Sequence, residues 1–82
     1  MKSFKEIINE NIYSAKWKEV YEEIKCDKFG LDVDDEFVMN DSNDVCIYLG
    51  KKDDQIFFKF RDFSRDIIYT IYIDDIKNIE LV

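Results

Sequence analysis

The chain has 82 residues, enough for one domain, and carries a formal net charge of −7 with no His and no Pro. Hydrophobic residues make up 46% and aromatic residues 16%, far from the composition of a disordered chain, and no run approaches the roughly 18 apolar residues that a membrane helix needs. Charges interrupt the N-terminus too often for a secretory leader, so a cytoplasmic protein is expected, with Cys26 and Cys46 as reduced, buried thiols.

In chain order, Ser3-Phe4-Lys5-Glu6 fits a capping box and opens a helical pattern. Phe4, Ile8 and Ile12 share one face, while Tyr13, Trp17, Val20, Tyr21 and Ile24 centre on the opposite one. The spacing predicts mostly helix over 3–29, as one kinked helix or as two short ones with Ser14 capping the second. Gly30 then closes the helical region, with Leu31 touching Cys26 as in a Schellman ending.

Beyond Gly30 the apolar period becomes two. Phe37 and Met39 alternate in a short strand, and Asp41-Ser42-Asn43-Asp44 reads as a turn. Val45, Ile47 and Leu49 alternate with Cys46 and Tyr48, and Gly50-Lys51-Lys52-Asp53-Asp54 reads as a hairpin loop. Ile56, Phe58 and Phe60 follow, then a loop over 61–66, then Ile67, Tyr69, Ile71 and Ile73, and a last short strand near 79–82.

The expectation is a single α+β domain over 1–82. A helical 1–30 packs on 31–82, a four- to five-stranded antiparallel meander. A small SH3-like curved barrel with the same N-terminal helix is the alternative, because a turn at Asp74–Asn78 before a short last strand suits one. The expected core is Ile8, Trp17, Val20, Ile24, Ile47, Leu49, Ile56, Phe58, Tyr69 and Ile71. The outward face then holds Cys46, Tyr48, Phe57, Ile68, Tyr72 and Val38, which is apolar for a solvated face: either the helices and loops wrap round it, or it meets another protein.

Catalysis is not expected. His is absent, the four Ser lie in cap or turn contexts, and burial would raise the pKa of a mid-strand Cys46. No metal or cofactor site is expected either. Counted from Asp32, a calcium loop would need Gly at position six and Glu at position twelve, where Phe37 and Asn43 stand. Duplex nucleic acid is disfavoured as a partner, since its binding rests on Lys and Arg and the sheet region is acidic.

The acids are unevenly placed. Residues 1–28 balance six Lys against six acids, whereas 31–44 contain Asp32, Asp34, Asp35, Glu36, Asp41 and Asp44 with no base. Six carboxylates in so short a segment repel one another and would gain from a basic partner. This segment is the expected partner-binding site, with Tyr48, Phe57, Tyr72 and the loop residue Phe63 as apolar contacts. Phe63 lies between Arg61 and Arg65, a composition met at interface hot spots.

Ten Lys against two Arg, with abundant Ile, Asn, Tyr and Phe, is the usage of AT-rich codons. It points to an AT-rich bacterium or one of its mobile elements. The expected function is therefore that of a small acidic, non-enzymatic binding protein. Its expected role is inhibition, encoded by a phage or mobile element, of a basic site on a host defence or nucleic-acid-processing protein. An immunity protein or antitoxin fits the same features, as does a structural homodimer or accessory subunit.

Overall fold

The computed structural model describes residues 21–62 and 67–82 in full, and the backbone of residues 13–15. Its strands are β1 (Tyr13–Ala15), β2 (Glu36–Met39), β3 (Cys46–Lys52), β4 (Gln55–Phe60), β5 (Ile68–Tyr72) and β6 (Ile79–Leu81). All pairings are antiparallel, in the order β1-β5-β4-β3-β2-β6. Strands β2 to β5 form a meander. After a single 3-10 turn at Ile73–Asp75 the chain returns to pair β6 with β2, which makes a five-stranded antiparallel unit. The three-residue β1 is a sixth strand added on the other edge of β5.

The core lies on one face of this sheet. Tyr48, Phe37, Phe58, Leu31, Ile56, Ile71, Cys26 and Cys46 are almost wholly buried, and Phe60, Tyr69, Met39 and Ile76 join them. Phe58 lies opposite both Tyr48 and Tyr69 in register. Its ring centroid is 6.2 Å from Phe37, 5.5 Å from Phe60 and 6.0 Å from Tyr69, within the range where aromatic pairs attract. Ile56, Phe58, Tyr69 and Ile71 are therefore core residues, as the period-two pattern of β4 and β5 predicts.

Strand β3 departs from the expected phase. Cys46 and Tyr48 face the core, whereas Ile47 and Leu49 lie half-buried on the opposite side. A one-residue shift of phase inverts every side chain of a strand, so the four residues Cys46 to Leu49 exchange faces. The alternation fits either phase, and its more hydrophobic set is the one expected inward. The structure prefers the other set because Tyr48, opposite Phe58 on β4, is wholly buried while its hydroxyl finds a carbonyl partner.

A register shift follows within β3. Tyr48 lies opposite Phe58 but Gly50 lies opposite Phe57, leaving Leu49 as the extra residue of a bulge. Gly50 to Lys52 thus belong to β3 and not to a loop, and the turn to β4 is Asp53-Asp54, with Asp53 at φ 53. The glycine has a packing reason. A Cβ at Gly50 would collide with the Glu22 carbonyl oxygen and lie 2.7 Å from the Tyr21 ring. The chain passes that close because Glu22 pairs with Lys51 through two 3.0 Å backbone hydrogen bonds.

The α+β expectation is corrected by this arrangement: the described residues form an antiparallel sheet without an α-helix. Of the expected helical stretch 3–29, Tyr13–Ala15 is a strand with Ser14 opposite Tyr69, so Ser14 caps no helix. Residues 21–30 form isolated bridges and turns, and Ile24 is 47% exposed instead of buried. Ile8, Trp17 and Val20 lie outside the described residues. Gly30 does adopt a left-handed conformation, φ 65, and Leu31 does meet Cys26, but the context is a hairpin. Cys26 and Leu31 exchange backbone hydrogen bonds of 2.8 and 3.1 Å across the loop Asp27-Lys28-Phe29-Gly30. A Gly after a short polar run marks a left-handed residue in both settings, which is why sequence alone confuses them.

Candidate binding surface

The acidic segment borders β2. Asp32 to Asp35 form a tight turn: the Asp35 amide donates to the Asp32 carbonyl at 3.0 Å, and the Asp32 amide donates to Asp35 Oδ2 at 2.8 Å. Asp34 takes the left-handed position at φ 75, which Asp tolerates better than most side chains. The turn is also tied to β3, since the Asp34 amide donates to the Tyr48 carbonyl and the Tyr48 amide to the Asp35 carbonyl, both at 2.8 Å.

A second turn follows β2. Ser42 N–H donates to the Met39 carbonyl at 3.0 Å, with Asn40 and Asp41 between them at φ 53 and 60, as in the mirror-image turns that favour Asn and Asp. Asn40 anchors this turn to the last part of the chain. Its Oδ1 accepts from the Lys77 amide at 2.7 Å and its own amide donates to the Asn78 carbonyl at 3.1 Å.

The six carboxylates therefore differ in duty. Asp35 is committed to its own turn. Glu36 Oε1 accepts a 2.9 Å bond from Arg61 Nη1, and Arg61 Nε lies 3.5 Å from Asp62. The hydrogen bond that Arg61 donates to Glu36, with the charge of Asp62, pushes the Arg61 guanidinium further up. Asp44 is half-buried, with Oδ2 enclosed and without a hydrogen-bond partner among the described residues, beside a cavity of about 50 Å³ that Val45, Phe60 and Asp62 also line. Burial pushes its carboxyl above the ordinary value, and the charge of Asp62 adds to this. Asp32, Asp34 and Asp41 are exposed, and Asp41 Oδ1 accepts a long 3.4 Å contact from Asn78 Nδ2.

The return of β6 brings in a residue that sequence reasoning missed. Glu80 lies opposite Val38 in register, and with Asp41, Ser42, Asn43 and Asn78 these two line a polar groove of about 280 Å³. Alternation around Ile79 and Leu81 places Glu80 on the face away from the core. No local signal tells that this face adjoins the acidic segment 40 residues earlier.

The expected apolar contacts fare differently. Tyr48 is fully buried on the core face, and Phe57 is 3% exposed, stacked on Tyr21 at 5.1 Å and 22°. Neither offers a surface to a partner. Tyr72 is 43% exposed and remains on the surface. Phe63 lies outside the described residues. Ile24, Leu81 and Val82 are exposed apolar side chains that were not anticipated.

The Cys46 thiol is deeply buried, burial and then the charge of Asp44 push its pKa far up, and it stays protonated and unreactive at neutral pH. Among the described residues no three His, Cys, Asp or Glu side chains are grouped so as to hold a metal ion, and no helix is long and apolar enough to cross a membrane. No family model matches the chain, and neither a curated protein nor a solved structure matches it.

Proposed function

We propose that this protein is a non-enzymatic, cytoplasmic binding protein that occupies a basic surface on another protein, as an inhibitor encoded by a phage or mobile element would. The observation that supports it is the exposure of Asp32, Asp34 and Asp41 on turns fixed by backbone hydrogen bonds at both ends of β2. Carboxylates held on rigid turns lose little freedom on meeting a cation, so their repulsion in the free protein becomes attraction in the complex. Glu80 on β6 adds a carboxylate beside Asp41 in the polar groove.

The test uses the triple variant Asp32→Asn, Asp34→Asn, Asp41→Asn as bait beside the wild type. Asn tolerates the left-handed backbone at positions 34 and 41, so the fold is retained while three charges are removed. A basic protein retained by the wild type and lost from the variant supports the reading. Equal retention of the same proteins by both baits contradicts it.

A further inference from the structure

Among the described residues the outer edge of β6 carries backbone hydrogen-bonding groups that no strand pairs. The Asn40 amide donates to the Asn78 carbonyl and the Val82 amide to the Glu36 carbonyl, which fixes the phase of the β2–β6 ladder. In an antiparallel pair bonded residues alternate with non-bonded ones, so Glu80 faces Val38 as the bonded pair. The N–H and C=O groups of Ile79 and Leu81 therefore point away from β2. Among the described residues no further strand pairs with that edge. Natural sheets cover or charge such edges, because an unpaired edge is a template for another strand.

The two flanks of this edge differ in chemistry. On one side Glu80 and Asp41 line the polar groove with Asn43 and Asn78. On the other, Leu81 is 58% exposed at the rim of the core, opposite the buried Phe37, and Val82 beyond it is 70% exposed. An added strand places successive side chains on opposite faces, so it would meet the acidic groove with one set and the Leu81 rim with the other.

We infer that β6 is a docking edge for an extended segment of the partner protein in which basic and apolar residues alternate. The segment joins the sheet through the N–H and C=O groups of Ile79 and Leu81, its apolar residues cover Leu81, and a Lys or Arg enters the groove between Asp41 and Glu80. Backbone bonds supply affinity and the alternating side chains supply selectivity, as in other strand-addition complexes. This inference rests on the basic-partner reading above and names where and how that partner is held.

The test is a titration of the isotope-labelled protein with a short synthetic peptide of alternating Lys and Val, followed by amide hydrogen exchange. The expected result is slowed exchange at Ile79 and Leu81, with binding that weakens as salt is raised. Leu81→Pro removes one edge donor without breaking a bond to β2, and is expected to weaken the peptide about tenfold or more while the spectrum stays folded. Glu80→Lys, which leaves the edge backbone intact, is expected to weaken it as well. Unchanged exchange at Ile79 and Leu81, or equal affinity for wild type and Leu81→Pro, overturns the inference. If the captured partner binds Leu81→Pro normally yet is lost by the triple Asn variant, the docking edge is wrong and the basic-partner reading stands.

Discussion

The Tyr48 hydroxyl donates a 2.6 Å hydrogen bond to the carbonyl oxygen of Ile24, joining a fully buried core residue to the irregular segment that pairs with β3 at Lys51. Burial, and then the nearby Cys26, push the Tyr48 hydroxyl far above its usual range, so it stays a donor throughout the physiological window.

Tyr48→Phe keeps the ring and removes this bond. It is expected to cost about 1 kcal/mol, the usual net value of one hydrogen bond, and so to lower the melting temperature by roughly 4–8 °C in a domain of this size. Urea denaturation with an unchanged midpoint would show that the 21–26 segment is held without it.

Phe57→Asp separates the internal from the external reading of the second sheet face. Phe57 is 3% exposed under Tyr21, so a carboxylate there is buried without a partner. The expected cost is roughly 3 kcal/mol or more, seen as loss of most of the folded signal in circular dichroism. A folded variant with an altered oligomeric state would instead make this face an interface.

How much of this was legible in the sequence depends on how far the deciding contact lies along the chain. The alternation of Ile56, Phe58 and Phe60, and of Tyr69 and Ile71, is local and was read correctly. In β3 the same alternation admits two phases, and the choice rests on Phe58 across the ladder and on Ile24, 24 residues away, accepting the Tyr48 hydroxyl bond. Tyr13–Ala15 reads as part of a helical pattern, yet it pairs with Ile68–Thr70 of β5. No local periodicity encodes that pairing, and tertiary pairing overrides propensity. The acidic segment was visible as composition. That Glu36 is paired with Arg61, that Asp44 is half-enclosed and that Glu80 joins the group all follow from non-local strand pairing.

Asp44 gives the chain a pH dependence of definite sign. Its folded-state pKa lies above the ordinary 3.8, so the native state holds its proton more tightly than the unfolded chain does. The contribution to stability is full below 3.8 and is lost as pH rises from there through the folded value. Asp44→Asn keeps the hydrogen bond from the residue 44 backbone N–H to Ser42 Oγ and removes the charge. The variant is expected to exceed the wild type in stability at neutral pH, with the gap closing below pH 3.8. Urea midpoints measured across that range check this, and a gap that widens on acidification would reverse the assignment.

The central claim, that an exposed acidic side engages a basic protein, is tested most directly by stopped-flow association with the captured partner at low and high salt. Electrostatic steering raises association rates above the neutral range of roughly 10⁵–10⁶ M⁻¹s⁻¹ and is screened beyond about 8 Å at physiological ionic strength. The wild type is therefore expected to associate about tenfold faster at low salt than the Asp32→Asn, Asp34→Asn, Asp41→Asn variant, with the two rates converging as salt is raised. Equal rates at low salt would contradict the account and leave the acidic segment a solvated border of the sheet.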